Sequence, residues 1–285
     1  MTTEISAPEA ARRQVHAMWA AVAAPWEQYA DYIERRAARV TAEIIRQAAP
    51  RPGDRVLELA SGAGGLGLAL APLVAPGTVT VSDVVPEMTA SAARRASAAG
   101  LTNVETAVID IEQIDAPDAA YDLVVCREGL MFAVDPARAA AEIARVLRQP
   151  GRLVAAVWGP RERNPWLGLL LDVVSAHFGT PLPPPGMPGP FALGDAQRLE
   201  RILIDADFDD IEVTALDLEL RDESFDSFWT LRTALACPLQ ARLAALPPDQ
   251  TEQLREAVHT AVSPFETSDG IVLPGQTLIA SARRN

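Results

Sequence analysis

This chain contains no lysine; its 25 basic residues are all arginine. The absence removes several chemistries at once. There is no amine to form a Schiff base, no P-loop lysine to hold a nucleotide phosphate, and no lysine general base. Cysteine is scarce. Cys126 and Cys237 stand too far apart for a metal-ligand pattern and form no disulfide framework, which reads as a reducing, cytoplasmic setting. No stretch reaches the roughly 18 uncharged apolar residues a membrane helix needs. Met1 to Glu9 contains Glu4 and lacks a basic start and an apolar centre, unlike a signal peptide. Positive charge is short overall. A formal net charge of −13 argues against nucleic acid or an anionic membrane as the main partner.

What is present is apolar bulk and a change of rhythm. The apolar fraction of 49% is ample for a large core in 285 residues, a length that fits one elaborated domain. Residues 8 to 49 read as helical, with Trp19, Trp26, Tyr29 and Ile33 at helical spacing and Pro25 as an interruption. From Asp54 strands and helices alternate. Strands are expected at Arg55 to Ala60, Thr78 to Ser82, Val104 to Ile109, Tyr121 to Cys126 and Gly151 to Trp158. Helices are expected over Gly65 to Val74, Pro86 to Ala99 and Asp135 to Arg148. This order implies an α/β fold with a doubly wound, mostly parallel sheet and right-handed crossovers. Further on come a helix over Asn164 to Phe178, a Pro-rich loop over Pro181 to Pro190, and a helix over Asp195 to Ala206. A strand over Asp210 to Leu220, helical segments from Ser224 to Val262, and a last strand over Ile271 to Ala282 complete the chain.

The densest signal is Glu58-Leu59-Ala60-Ser61-Gly62-Ala63-Gly64-Gly65-Leu66-Gly67. A strand ends in an acid, a glycine loop follows, and a helix begins; such a loop turns backbone N–H groups toward a cofactor. Gly62, Gly64 and Gly67 fit a dinucleotide fingerprint. Glu58 fits a different ligand, because an acid there repels the pyrophosphate of NAD and suits the cationic S-adenosylmethionine. It reads equally as a strand-end acid holding the loop amides. Acids recur at successive strand ends, the edge where open α/β sheets bind ligands. Asp83, 21 residues beyond Gly62, suits two ribose hydroxyls. Asp110 and the N–H of Ile111 suit an adenine edge, and Val84 and Met88 could sandwich its ring.

These residues resemble the class I S-adenosylmethionine-dependent methyltransferases, within the group that includes ubiquinone/menaquinone biosynthesis enzymes. The resemblance runs over roughly residues 26 to 160. It rests on Gly53 to Gly64, on Val81-Ser82-Asp83 with Met88, on Asp110, on Tyr121 to Val125 and on Leu147 to Val154. Trp158-Gly159-Pro160 and Asn164-Pro165-Trp166 look like a small-molecule branch. Two departures stand out: Ala60 replaces a glycine, and Gln149-Pro150-Gly151 replaces an Arg-Pro-Gly-Gly turn. The resemblance implies a seven-stranded Rossmann-like sheet whose last strand is antiparallel. It also implies S-adenosylmethionine as methyl donor, S-adenosylhomocysteine as product, and residues 1–50 as a helical lid segment. Residues 51–160 would form the cofactor-binding core, and 161–285 would complete the same domain with cap helices, the Pro-rich loop and the final strands.

The implied cofactor-binding set is Tyr29, Glu58, Ala60, Ser61, Gly62, Gly64, Asp83, Val84, Met88, Asp110, Ile111 and Arg127. Tyr29 would cover the methionine end or else pack in the core, and Arg127 would neutralise a carboxylate or lie at the surface. His16 and His177 are the candidate catalytic bases, since imidazole titrates near working pH; Glu128 is a further one. No metal site is expected. The acceptor is expected to be a small, largely apolar molecule under a cap of Trp166, Leu167, Phe178, the Pro-rich loop and Phe191. The missing asparagine-proline motif after strand four, where Arg127-Glu128-Gly129-Leu130 stands, favours O- or C-methylation. An NAD-dependent oxidoreductase, a non-catalytic cofactor binder, and a protein or RNA methyltransferase are the alternatives.

Overall fold

The computed structural model describes residues 6–185 and 187–285. The first five residues, and Gly186 in the expected Pro-rich loop, lie outside the described residues. The helical stretch at the start divides into α1 (Ala7–Ala20), α2 (Ala23–Gln28) and α3 (Ala30–Ala48). The Ser6 hydroxyl accepts the Glu9 N–H and caps α1. The breaks fall at Val22 and Tyr29 rather than at Pro25, which sits in the first turn of α2, where a missing N–H costs nothing. Helix α3 buries Ile33, Ala37, Val40, Ile44 and Ala48, one stripe at helical spacing.

The alternating region follows as β1 (Arg55–Leu59), α4 (Gly65–Val74), β2 (Thr78–Asp83), α5 (Pro86–Ala98), β3 (Val104–Val108), β4 (Tyr121–Arg127), α6 (Pro136–Val146) and β5 (Leu147–Trp158). The remainder is α7 (Pro165–Phe178), α8 (Ala196–Asp205), β6 (Asp209–Asp222), α9 (Phe225–Leu235), α10 (Cys237–Ala244), α11 (Pro248–Val262), β7 (Glu266–Thr267) and β8 (Gly270–Arg284).

The sheet runs β3-β2-β1-β4-β5-β8-β6, with the short β7 paired to β8. Strands β1 to β5 pair in parallel, and β8 lies antiparallel between β5 and β6. The implied seven-stranded order is therefore present, and β7 adds a two-residue eighth strand that the sequence did not suggest. Pro274-Gly275 does not interrupt β8. Pro274 pairs with Glu219 and Gly275 with Leu218 inside one continuous register. Helix α6 stops at Val146, two residues earlier than expected, because β5 already begins at Leu147.

Parallel strands covered on both faces read as continuous apolar runs. Val56, Leu57, Val124, Val125, Ala155 and Ala156 are fully buried accordingly. Right-handed crossovers place α4, which steps from β1 to β2, opposite α6, which steps the other way from β4 to β5. The chain thus reverses direction across the sheet between β1 and β4, which opens a crevice at their carboxyl ends. Among the described residues no helix is long and apolar enough to cross a membrane.

Candidate functional site

A cavity of about 230 Å³ lies over this crevice. Its floor comes from the ends of five strands: Ala60 to Gly62 after β1, Asp83 on β2, Asp110 beyond β3, Arg127 to Gly129 at the end of β4 and Trp158 on β5. Helices α1 and α2 cover one side with Val15, Trp19 and Trp26. The other side is closed by Leu231 and Leu235 of α9 and by Pro183, Pro184 and residues 187–190.

The glycine loop is held from below and from the side. The Glu58 carboxylate lies beneath it, fully buried, and accepts the Gly67 N–H at 2.9 Å. It does not line the cavity, so its geometry is that of the strand-end acid holding a loop amide. Burial pushes its carboxyl up to about 8, against the opposing pull of Arg127 and of the Gly67 hydrogen bond. Gly67 is a packing glycine, since a Cβ there would strike Glu58 Oε2 and come within 2.6 Å of Val81. Gly64 likewise packs behind the loop against Val81 and Ala92, away from the cavity. Ala60 holds a left-handed φ of 51°, the conformation for which glycine is the natural choice.

Asp83 meets the loop directly. Its Oδ2 accepts the Gly62 N–H at 2.9 Å and its Oδ1 accepts the Val85 N–H at 3.0 Å. Burial pushes Asp83 up to about 6, with these backbone donors pulling the other way. Ser61, Val84, Met88 and Ile111 line the same half of the cavity, so the sequence spacing brings nearly all of the expected adenosyl set together.

Tyr29 is not part of that lining. It is the hinge residue between α2 and α3, and Trp26, one turn earlier, lies over the loop: a Cβ on Gly62 would stand 3.3 Å from the indole. The two histidines separate. His16 lies at the Asp110 end, with Nε2 3.5 Å from Asp110 Oδ2. His177 is exposed on α7, edge-on to Phe178, and does not reach the cavity. Neither stands in the half that the Pro-rich loop closes. Phe178 and Phe191 are likewise drawn off to Arg242 and Arg161, whereas Trp166 and Leu167 do line the cavity.

Arg127 is no surface residue. Its guanidinium forms a two-pronged pair with Glu34 of α3 at 2.8 and 2.6 Å and also bonds Thr41. Sequence spacing missed this partner, along with the partners of three further arginines that line the cavity. Arg12 reaches Glu112 at 3.0 Å, Arg36 reaches Glu128 at 3.3 Å, and Arg232 reaches Asp222 at 2.7 Å and the Tyr32 hydroxyl at 2.8 Å. The one available signal was on α1, where Arg12 and His16 share a face one turn apart. Cys126 is fully buried beside the loop, and burial pushes its thiol up to about 12, so it behaves as a small hydrophobe.

Comparison with known proteins fits this geometry. Residues 56–151 match the methyltransferase domain family. An uncharacterised protein of Mycobacterium tuberculosis is 33% identical over 187 residues, covering 66% of this chain and 62% of its own length. A ubiquinone/menaquinone biosynthesis C-methyltransferase of Ralstonia pickettii is 36% identical over 138 residues, 44% of this chain and 56% of its own. The chain thus spans about three fifths of the curated relatives it matches. The YcgJ protein of Bacillus subtilis shares the fold, with a TM-score of 0.61 at 20% identity over 87% of this chain and 99% of that one. The resemblance read in the sequence, to class I methyltransferases of the ubiquinone/menaquinone group, is the one these matches give.

Proposed function

We propose that this protein is an S-adenosylmethionine-dependent methyltransferase acting on a small, largely apolar acceptor at oxygen or carbon. The observation that carries the reading is the division of one cavity into two halves. One half presents Asp83, Asp110 and the Gly62 loop, a set of acceptors and amides suited to a ribose, an adenine edge and a cationic amino acid. The other half is walled by Trp158, Trp166, Leu167, Leu171, Leu231 and the Pro-rich loop.

The chemistry asked of the protein is modest. An acceptor nucleophile attacks the methyl carbon in line with the carbon–sulfur bond; that bond breaks and its electron pair returns to sulfur, leaving neutral S-adenosylhomocysteine. The chain's residues orient the two reactants and keep water from the sulfonium. The bases foreseen in the sequence, His16 and His177, are badly placed for this step. His16 faces Asp110 at the far end, and His177 faces outward.

Calorimetry with S-adenosylhomocysteine and with NADH tests the cofactor. Saturable binding of the first alone is expected, and binding of NADH alone would sink the reading. Turnover with a radiolabelled methyl donor against a panel of apolar phenols, enols, carboxylic acids and amines then tests the activity. Label in the phenols, enols or acids is expected. Tight cofactor binding with no labelled product from any member would point to the non-catalytic alternative.

A further inference from the structure

Three arginines line the acceptor half of the cavity, and they are not equally occupied. Arg127 makes three hydrogen bonds to Glu34 and Thr41. Arg232 is divided between Asp222 and Tyr32. Arg36, with its side chain only 14% exposed, makes a single bond among the described residues: one Nη donates to Glu128 at 3.3 Å. A guanidinium carries five N–H donors, and charge-assisted bonds to carboxylates normally close to about 2.7–2.9 Å. Among the described residues its Nε, like that of Arg232, is buried with no partner. The group is held instead by two indoles, 5.6 Å from the Trp158 ring and 5.3 Å from the Trp166 ring.

Glu128 is unusual in its own right. It follows directly on β4 with a left-handed φ of 58°, a conformation that costs a non-glycine residue about 1–2 kcal/mol. Its N–H donates to Ala156 on β5 at 2.8 Å, which fixes the strained backbone in place. Strain of this kind persists only where the surrounding structure over-determines it, and it clusters at functional sites. The next residue, Gly129, packs so tightly on Ala60 that a Cβ would strike it. Glu128 is thereby set beside the loop expected to hold the methionine end, in the wall of the apolar half. Burial pushes its carboxyl up, opposed by Arg36 and Arg127 and reinforced by Glu34.

We infer that Glu128 and Arg36 form the acceptor-activating pair, and that the acceptor presents an ionisable hydroxyl, as a phenol or enol does, to both at once. This rests on the methyltransferase reading. The acceptor O–H gives its proton to the Glu128 carboxylate. The oxyanion left behind is oriented by the unspent N–H groups of Arg36. Its electron pair, on oxygen or on the conjugated carbon, forms the bond to the methyl group while the carbon–sulfur pair returns to sulfur. On the oxygen path Glu128 then releases the proton to solvent; on the carbon path the ring or enol carbon gives its proton to solvent and Glu128 returns its own to the oxygen, so one proton leaves in either case. The pairing gives a base to the half of the cavity that neither histidine reaches.

The test needs no knowledge of the natural acceptor. 4-Nitrophenol is an apolar phenol whose anion absorbs visible light, so its ionisation can be read when bound to the S-adenosylhomocysteine complex. In Glu128→Gln a competing negative charge is gone, and the bound phenol should become more acidic by about one pKa unit, a tenfold change. In Arg36→Met it should become less acidic by a similar amount. Opposite shifts place both charges beside the bound hydroxyl, which an ion pair turned away from the cavity would not give. Arg36→Met leaves Glu128 unpaired and can fail to fold. The double variant Arg36→Met/Glu128→Gln removes both charges and should return the bound phenol to its wild-type ionisation. Unchanged ionisation in the single variants, or no binding of 4-nitrophenol to the wild-type complex, overturns the inference. Failure of S-adenosylhomocysteine itself to bind overturns the cofactor reading first, and the inference with it.

Discussion

Glu34 and Arg127 face each other in a two-pronged ion pair, Oε2 to Nη1 at 2.8 Å and Oε1 to Nη2 at 2.6 Å, that ties α3 to the carboxyl end of β4. The Glu34 carboxylate also fills the space a Cβ on Gly65 would need, at the start of α4. One carboxylate therefore locks the covering helices, the glycine loop and the central strand to one another. Removing one partner of such a pair strands the other charge. Arg127→Met should lower unfolding stability by about 3 kcal/mol, measured by urea titration. The paired change Glu34→Gln/Arg127→Met should recover much of that loss. A single variant as stable as the wild type would show that the pair is solvated and idle.

This pair also shows what was legible in the sequence. The sheet, the glycine loop and Asp83 could be read because each depends on residues close together in the chain: an apolar run, a glycine spacing, an acid at a strand end. Glu34 and Arg127 are 93 residues apart, and no periodicity links them. Tyr29 was chosen from an aromatic stripe at helical spacing. The break at Tyr29 turns that stripe, so that Trp26 takes the position over the loop. His177 drew notice as an imidazole that titrates near working pH, yet the register of α7 gives the cavity side to Trp166, Leu167 and Leu171. Glu128 was visible only as the neighbour of Arg127; its strained backbone and its Arg36 partner are matters of three-dimensional placement.

Ala60 is a direct test of how far a glycine-suited loop shape can be held by a residue with a side chain. Its left-handed φ of 51° costs an L-residue about 1 kcal/mol or more. Ala60→Gly removes that strain and gives back part of it as unfolded-state entropy. A net gain of about 0.5 kcal/mol is expected, read as a small rise in the thermal midpoint. A clear loss of stability would mean that the Ala60 methyl packs productively against Gly129.

Glu58 sets a pH dependence of stability. Its folded-state carboxyl is raised from 4.5 to about 8, chiefly by burial. A raised carboxyl stabilises the fold fully below its unfolded pKa and loses that contribution as pH rises toward the folded value. The protein should therefore weaken between about pH 4.5 and pH 8 and level off above. Glu58→Gln keeps an oxygen acceptor for the Gly67 N–H and cannot ionise. Its urea midpoint should change much less than the wild type's between pH 5 and pH 8.5. Parallel pH profiles for the two proteins would show that Glu58 is not the group responsible.

Asp83 makes the corresponding prediction for the cofactor. Its carboxylate already accepts the Gly62 and Val85 N–H groups, and an ionised carboxylate has lone pairs left for two ribose hydroxyls. Protonation removes acceptor capacity and places a donor where the hydroxyls need an acceptor. Burial raises Asp83 from 3.8 to about 6, so this change falls in an accessible range. If binding requires the ionised form, affinity for S-adenosylhomocysteine should be constant above about pH 7 and fall up to tenfold for each pH unit below about 6. Asp83→Asn keeps one acceptor oxygen but turns the other into a donor group. It should weaken binding at pH 8 by roughly tenfold or more, the cost of a lost hydrogen bond to a charged group, and abolish the acidic fall. Calorimetry across this range reads both effects. An affinity insensitive to pH in the wild type, together with an unchanged dissociation constant in Asp83→Asn, would remove Asp83 from the ribose site and leave it as the strut that holds Gly62.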